Sequence, residues 1–318
     1  MKIHIIGAGS LGLLYGGRLA ASGADISFWC RSKEQANLLQ ERGISIEEPE
    51  GSLYIPPDAF RAECVRDYHQ AGGPHGGDYT FLMVKQSAVA SIATELLSPY
   101  ADDSHKLLCF QNGTGHMELL RQHLPGWALY AAVTTEGAKR SGAAGVVHAG
   151  RGTTWIGQAA DVTKDGTGAE GQGSENALIE QLNRAGFDSF LSKELDVMIF
   201  RKLLMNAVIN PLTALWRIPN GELLAAENRV ALMRELYEEG AAVYDACGIK
   251  REDDLWEQIV RVCQATSANT SSMLKDVLEG RPTEAASING SIVRMGENAG
   301  IDAPLHRLVW KLIEGIRS

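Results

Sequence analysis

Residues 1–12 read MKIHIIGAGSLG, a short β-prone run that leads directly into three glycines spaced as G-x-G-x-x-G. The run Ile3–Ile6 predicts a strand, and the proline-free segment after the glycines predicts a helix. In this strand-turn-helix context the spacing is typical of a dinucleotide-binding turn. Gly7 would permit the tight turn, Gly9 would let the main chain approach a pyrophosphate, and Gly12 would let the helix pack close to the strand.

This stretch has two other interpretations. Lys2 precedes a mostly apolar run that reaches Tyr15, as in a secretory signal. A signal sequence has no need for glycines at fixed spacing, so we favour the nucleotide-binding turn. An ordinary tight turn between a strand and a helix is the structural alternative.

Length and composition narrow the class of protein. A chain of 318 residues exceeds one usual hydrophobic core and predicts two domains. The net charge of −9 argues against a general nucleic-acid binder, which needs a basic face. After the glycine turn no apolar run is long enough to span a bilayer, so we expect no membrane partner. The five cysteines form no CxxC pair, which predicts a reduced, cytoplasmic protein, and the histidine spacing predicts no metal site.

The two parts of the chain differ in their periodicity. Short apolar runs alternate with helical patterns up to about residue 192, and helical periodicity dominates from Glu194 onward. The predicted class is α/β, with an N-terminal Rossmann-type doubly wound parallel sheet and a C-terminal all-helical domain. We place the dinucleotide-binding Rossmann domain at residues 1–192 and the helical domain, which we expect to bind the substrate, at residues 193–318.

The predicted elements of the first part follow these patterns. Further strands are expected at Ile26–Cys30, Phe81–Val84, Leu107–Phe110, Leu129–Val133, Thr153–Ile156 and Phe187–Leu191, and helices at Glu34–Arg42 and Ser87–Leu97. The glycine-rich stretches Ala71–Gly77 and Asp161–Gly173 predict exposed loops.

The residues after the second predicted strand indicate the cofactor. In an NAD site an acidic residue about 20 positions past the glycines binds the ribose 2′-hydroxyl. Here Arg31, Ser32 and Lys33 follow the strand, and the first carboxylate is Glu34. A guanidinium binds phosphate with two parallel hydrogen bonds, so the pattern predicts NADP(H). A solvated arginine in a loop is the alternative.

Two more strand ends carry candidate ligands, because ligands bind beyond the carboxyl ends of parallel strands. Lys85 follows the third strand and could meet cofactor phosphate or a substrate carboxylate. Asn112 follows the fourth strand and could bond substrate or the nicotinamide ribose. Each residue could equally be an ordinary turn residue.

The helical part contains FRKLLMNAVINPLTAL at residues 200–215. Lys202, Asn206 and Asn210 recur every four residues and form one polar stripe, because four residues advance a helix by about 400°. The residues between them are apolar, which predicts a buried helix whose polar groups face a cavity. Pro211 cannot bond back to the Ala207 carbonyl, so we expect the helix to kink or stop there.

Each of these groups has a plainer explanation. Lys202 could lie on the solvent face of an amphipathic helix, although it is the last charge before Arg217. Ser271 could be a helix cap, and Glu284 could complement a helix dipole.

With these residues in view, the chain resembles the ketopantoate reductase (2-dehydropantoate 2-reductase) family over almost its whole length. The motifs that carry the resemblance are GAGSLG (residues 7–12), VK (84–85), QNG (111–113), K-x-x-x-N-x-x-x-N-P-x-T-A-L (202–215), SSMLKD (271–276) and GRPTE (280–284). The resemblance implies reduction of ketopantoate to pantoate with NADPH, in the synthesis of pantothenate and coenzyme A.

The resemblance also implies a role for each matching residue. Lys202 is the general acid, and Glu284 bonds a substrate hydroxyl or Lys202. Asn112, Asn206, Asn210 and Ser272 bind the substrate. The cofactor-binding residues are Gly7, Ala8, Gly9, Ser10, Leu11, Gly12, Arg31, Lys85, Asn112 and Glu284.

The chain departs from the family pattern at Ala285 and Ala286, where an apolar and an acidic residue often follow Glu284. Both glycine-rich loops also look longer than usual. An NADPH-dependent reductase of another 2-oxo acid therefore stays open as an alternative, as does a non-catalytic NADPH sensor. The expected partner is a small 2-oxo acid, and a homodimer is compatible with the sequence.

Overall fold

The structure is a computed structural model that describes residues 1–158 and 172–316. It contains two compact units: Met1–Gln111 with His116–Leu195, and Asn112–Gly115 with Asp196–Ser318. Most of the predicted loop Asp161–Gly173 lies outside the described residues. Among the described residues, no helix combines the length and the apolar character needed to cross a membrane.

Strands and helices alternate in the first unit, and helices make up the second. The strands are β1 Lys2–Ile6, β2 Asp25–Cys30, β3 Ile44–Glu48, β4 Gly51–Ile55, β5 Phe60–Cys64, β6 Tyr79–Leu82, β7 Lys106–Cys109, β8 Ala128–Thr134, β9 Gly137–Arg140, β10 Gly145–Gly150, β11 Thr153–Gln158 and β12 Asp188–Leu191. The helices are α1 Ser10–Ala21, α2 Lys33–Arg42, α3 Val89–Ser91, α4 His116–His123, α5 Gln172–Arg184, α6 Leu195–Trp216, α7 Glu227–Ala246, α8 Leu255–Ala265, α9 Ser272–Leu278, α10 Ala285–Ala299 and α11 Pro304–Gly315.

The first unit is built on an eight-stranded sheet of order β12-β11-β8-β7-β6-β1-β2-β5. The pairing of β11 with β8 is antiparallel, and the other described pairings of this sheet are parallel. The central strands β1 and β6 are buried almost along their whole length, as expected for parallel strands covered on both faces. The α/β class with a parallel-dominated sheet and a C-terminal helical region is thus confirmed.

A second sheet of order β4-β3-β10-β9 lies on the other side of α1. Two adjacent glycines let the helix approach both sheets. A Cβ at Gly16 would lie 2.3 Å from the Phe28 ring of the large sheet, and one at Gly17 would lie 3.0 Å from Ile46 of the small sheet. Helix α1 is therefore buried between two layers of strands.

Charged groups also join α1 to the small sheet. The Arg18 guanidinium forms an ion pair with Glu48 of β3, and it donates to the Ala185 carbonyl at 3.1 Å. The same carboxylate lies 3.6 Å from Nδ1 of the buried His148, whose Nε2 is 2.6 Å from Glu136 Oε2. The charged side chains Arg18, Glu48 and Glu136 therefore each have a polar partner, as charges in an interior require.

The sequence patterns missed several elements of the first unit. They did not indicate β3, β4, β5, β9 or β10. The predicted helix Ser87–Leu97 is present as a 3₁₀ turn at Gln86–Ala88, the single turn α3, and a π-helix at Ile92–Leu97.

Among residues 196–316 the second unit consists of helices and turns. Helix α6 supplies the centre of its core, including the fully buried Leu204 and Val208. The helix passes through Pro211 without ending, so of the two expected outcomes, a kink or a stop, the stop does not occur. Pro211 has no N–H to donate to the Ala207 carbonyl. That carbonyl accepts a hydrogen bond from Asn289 Nδ2 of α10 at 2.9 Å instead.

Candidate active site

The carboxyl ends of four parallel strands lie level in the first unit. Ile6 pairs with Trp29 and with Leu82, and Leu82 pairs with Cys109. Backbone bonds extend this alignment by one residue, since Gly7 N–H donates to the Trp29 carbonyl at 3.0 Å. The residues that follow each strand therefore meet at one edge of the sheet, where open α/β sheets bind ligands.

The glycine turn has the backbone that a dinucleotide requires. Gly7 has a φ of +108°, and a Cβ there would lie 2.9 Å from the Met83 carbonyl oxygen. A Cβ at Gly12 would lie 2.0 Å from the Gly7 oxygen, whereas one at Gly9 would meet no protein atom within 4 Å. The turn leads into α1, whose first N–H groups have no partner within the helix. These residues fit a pyrophosphate at Ala8 to Leu11.

Three residues follow β2 at this edge, and they differ in role. Arg31 and Lys33 are exposed. Ser32 is the N-cap of α2, because its hydroxyl accepts from the Gln35 N–H at 3.3 Å. Lys85 is exposed after β6, at the carboxyl end of that strand. The structure thus places Arg31 and Lys85 at the same sheet edge as the glycine turn.

Two amide side chains that sequence reasoning missed fix the backbone of this edge. Gln35 Nε2 donates to the Ala8 carbonyl at 2.8 Å, which holds the glycine turn from α2. Gln111 Nε2 donates to the Leu82 and Val84 carbonyls at 2.8 and 2.9 Å. No spacing rule marks an amide that bonds main-chain carbonyls, so the sequence carried no signal for these contacts.

In the second unit, Lys202 lies on α6 and is partly buried. Burial lowers the pKa of Lys202 to about 8, and the negative charge of Glu284 opposes that shift. An amine whose pKa lies close to neutral pH can release and regain a proton under physiological conditions. A solvated lysine does this poorly. The partial burial of Lys202 argues against the alternative in which it lies on the solvent face of an amphipathic helix.

Glu284 also contacts Asn112. It is the half-buried N-cap residue of α10, and its Oε2 accepts from Asn112 Nδ2 at 3.1 Å. Asn112 follows β7 in the chain but belongs to the second unit. The side chain of Glu284 makes no capping bond to α10, so it is available to these polar neighbours.

The other predicted substrate residues occupy different environments. Asn206 is partly buried and Asn210 is buried on α6, in line with Lys202. Ser272 is exposed as the first residue of α9. Ser271 caps α9 by accepting from the Leu274 N–H at 3.1 Å, and its hydroxyl pairs with Thr213 Oγ1 at 2.7 Å.

Both parts of the chain match known families. Residues 3–161 match the family described as Ketopantoate reductase PanE/ApbA, and residues 194–317 match Ketopantoate reductase PanE/ApbA C terminal. The 2-dehydropantoate 2-reductase of Archaeoglobus fulgidus is 30% identical over 318 residues, covering 100% of this chain and 98% of that protein. That of Bacillus subtilis strain 168 is 32% identical over 305 residues, covering 95% and 93%.

Solved structures agree with these matches. A PanE/ApbA family ketopantoate reductase from Ralstonia eutropha JMP134 superposes with a TM-score of 0.86 at 28% identity, covering 100% of this chain and 98% of that one. D-mandelate dehydrogenase, in a ternary structure with NADH and anilino(oxo)acetate, superposes with a TM-score of 0.85 at 21% identity and shares the fold, over 100% and 98% of the two chains. The chain belongs to the ketopantoate reductase family of oxidoreductases.

Proposed function

We propose that the protein reduces 2-dehydropantoate to pantoate with NADPH, and that Lys202 is the general acid. The observation that carries this proposal is the partly buried Lys202 with a pKa near 8, influenced by a carboxylate that also bonds Asn112. The family membership and the names of the relatives support the reaction.

Lys202 would act on the ketone oxygen. When bound, the reduced nicotinamide supplies the hydride that adds to the ketone carbon. Negative charge then develops on the oxygen, and the Lys202 ammonium stabilises it and donates a proton, which yields the alcohol. The neutral amine regains its proton from water before the next turnover.

Glu284 would keep Lys202 charged until the proton is needed. Its carboxylate raises the pKa of the amine against the effect of burial. Asn112, Asn206, Asn210 and Ser272 would bind substrate oxygens, because amides and hydroxyls donate without adding charge. The small 2-oxo acid would then be held by neutral donors around one ionisable pair.

The preference for NADPH would come from Arg31, with Lys85 as a second cation at the same edge. No carboxylate lies directly at the end of β2, where an NAD site has one. The exposed Arg31 guanidinium can take a 2′-phosphate with two hydrogen bonds. The positive φ of Gly7 and the free space at Gly9 support a dinucleotide at the turn.

The cysteines in the described part of the chain are unpaired, which supports a reducing cytoplasm as the compartment in which the protein functions.

The test is turnover by the full-length protein. Loss of nicotinamide absorbance is followed with NADPH or NADH and with 2-dehydropantoate or a panel of other 2-oxo acids. Turnover of 2-dehydropantoate with NADPH supports the proposal. Turnover only with other oxo acids supports the rival reductase, and binding without turnover supports a sensor.

A variant tests the role of Lys202. We expect Lys202→Ala to lower kcat at least ~100-fold, the lower end for one general acid, with NADPH affinity retained. Lys193→Ala removes an exposed lysine just before α6 and should leave kcat unchanged. Near-normal turnover by the Lys202 variant would exclude it as the proton donor.

A further inference from the structure

A cluster of two histidines and one aspartate lies at the edge of the large sheet opposite the glycine turn. His75 precedes β6, and Asp103 and His105 precede β7. Because β6 and β7 are parallel neighbours, their amino-terminal ends share one edge. The cluster therefore has no part in the proposed reduction.

The three side chains bring potential ligand atoms close together. One ligand atom from each lies within 4.8 Å of the other two. Asp103 Oδ2 is 3.6 Å from His105 Nε2 and 3.8 Å from His75 Nε2. In a tetrahedral zinc site with ligand bonds of about 2.0–2.2 Å, neighbouring ligand atoms lie roughly 3.3–3.6 Å apart. Small side-chain rotations would bring the three atoms to that spacing.

The loop that carries His75 is held in place by close packing. Gly73 has a φ of +65°, and a Cβ there would lie 2.2 Å from the Tyr100 ring, so only glycine allows this approach. Gly73 and Pro74 are buried within the loop Ala71–Gly77, whose other residues are exposed or partly exposed, as the predicted exposed loop requires. The glycine at residue 73 thus lets the loop pack closely, which fixes the position of His75.

Aromatic neighbours orient both imidazoles. The His75 ring packs edge-on against Tyr100 at 5.3 Å between centroids, and the His105 ring packs against Trp127 at 5.0 Å. Trp127 Nε1 in turn donates to the Tyr100 carbonyl at 2.8 Å. Rings fixed in this way lose little entropy when they bind a ligand together.

Hydrogen bonding within the protein does not account for the cluster. Nε2 of His105 is buried and has no hydrogen-bond partner among the described residues. Asp103 Oδ2 lies at ion-pair distance from both imidazoles, but both separations exceed the length of an N–H···O hydrogen bond. A buried polar atom without a partner is unfavourable, and a cation between the three side chains would give His105 Nε2 one.

We propose that His75, Asp103 and His105 bind a divalent first-row transition metal ion such as Zn²⁺, with water completing the coordination. Two imidazoles and one carboxylate suit zinc, cobalt or nickel, whereas Mg²⁺ and Ca²⁺ prefer oxygen ligands. The ion would join the His75 loop to the start of β7. His75 and His105 lie far apart in sequence and match no metal-binding spacing, so the sequence analysis predicted no metal site.

The test uses the full-length protein without a histidine tag. Equilibrium dialysis with Zn²⁺, and visible absorption spectra with Co²⁺, measure binding without reference to catalysis. We expect one equivalent bound by the wild type, with no competition from a large excess of Mg²⁺. Zn²⁺ should also raise the thermal unfolding midpoint by several degrees, because it binds the folded state.

Variants identify the ligands. His75→Ala removes a largely exposed side chain and should weaken Zn²⁺ binding at least about 100-fold, more than is typical for an outer-shell change. Asp103→Asn, which keeps the side-chain shape, should weaken it similarly. His123→Ala alters a histidine on α4 outside the cluster and should bind as the wild type does. Wild-type binding by the His75 and Asp103 variants, or no saturable binding by any of the proteins, would overturn the proposal.

Discussion

At the scale of single residues, Lys202 experiences two opposed influences. Burial lowers its pKa to about 8, and Glu284 raises it. A general acid must be protonated, so kcat should fall as the pH rises through about 8. In Glu284→Gln the charged amine loses a favourable partner, its pKa falls, and the alkaline loss of kcat should begin at lower pH.

The measurement is kcat against pH, at saturating NADPH and substrate, for the wild type and the variant. Glu235→Gln removes an exposed carboxylate of the same unit and should leave the profile unchanged. An alkaline limb that does not move in Glu284→Gln would show that this carboxylate does not set the pKa of the acid.

A second prediction at this scale concerns Arg31. We expect Arg31→Ala to weaken NADPH binding by about tenfold or more, since a hydrogen bond to a charged group contributes about 1.5–3 kcal/mol. NADH has no 2′-phosphate, so its affinity should not change. Arg42→Ala, at the far end of α2, is the matched control because that arginine is also exposed. Fluorescence titration would measure the affinity for each cofactor. Equal losses of affinity for NADPH and NADH would contradict the assignment of Arg31 to the 2′-phosphate.

The predictability of the candidate site differs from residue to residue. Lys202 could be singled out because it is the last charge before Arg217, at the start of a long apolar helical segment. Gln35 and Gln111 could not, because their partners are main-chain carbonyls that only the folded chain brings near. Ser271 and Ser272 are adjacent in sequence; the sequence indicates Ser271 as a candidate cap, and the structure has it as the buried cap and Ser272 as the exposed first residue of α9.

At the scale of elements, α1 tolerates no added atoms between its two sheets. A Cβ at Gly16 would lie 2.3 Å from Phe28 Cζ and 2.6 Å from Ile5 Cδ1. We expect Gly16→Ala to lower the free energy of unfolding by about 1–3 kcal/mol, as overpacking does. Gly315→Ala, in a helix with no atom near the added Cβ, should be neutral or slightly stabilising. Urea unfolding would compare the two, and equal stabilities would refute the packing argument.

Asn289 compensates for a proline inside α6. Its Nδ2 donates to the Ala207 carbonyl and also lies 3.0 Å from His306 Nδ1. Asn289→Ala should cost about 1–3 kcal/mol, because that carbonyl stays buried without a donor. Asn298→Ala, at an exposed position of the same helix, should cost little.

Adding Pro211→Ala supplies a backbone N–H for the same carbonyl. The double variant should therefore be more stable than the sum of the two single effects predicts. Strict additivity would show that Asn289 does not replace the missing bond.

The elements were predictable only where the pattern is strong. β1 and β6 are short apolar runs, and the structure has them close to the predicted positions. β3 alternates between buried and exposed residues, with Ile44 and Ile46 inward and Ser45 and Glu47 outward. Four or five alternating residues resemble an ordinary surface segment, so the small sheet could not be recognised before its packing on α1 was known.

At the scale of the whole molecule, the chain does not divide at a single point. The predicted boundary lies between residues 192 and 193, and the two compact units meet in sequence between Leu195 and Asp196. Asn112–Gly115 also belongs to the second unit, although it lies in the middle of the first part of the chain. The assignment of Asn112–Gly115 to the second unit depends on tertiary contacts. Neither the composition nor the periodicity of the sequence indicates it.

The path of the segment Asn112–Gly115 requires a glycine at residue 113. Gly113 has a φ of +84°, and a Cβ there would lie 2.2 Å from the Ser287 carbonyl oxygen of α10. Gly113→Ala should therefore displace Asn112, lowering kcat at least about tenfold and the free energy of unfolding by about 1–3 kcal/mol.

Gly115→Ala is a closely matched control, because its φ is +93° and no atom lies within 4 Å of the added Cβ. It shares the backbone strain and lacks the collision. Similar losses of kcat in the two variants would attribute the effect to strain alone.

The burial of α1 between two sheets has a consequence for how such an enzyme can be re-engineered. Most of this helix is fixed by contacts on both sides, so it offers little freedom for redesign. Arg31 and Lys33 project from the surface just after β2, where side chains can be exchanged without disturbing the interior. A change of coenzyme preference, in evolution or in the laboratory, should therefore accumulate at the start of α2 while the sandwiched helix keeps its sequence.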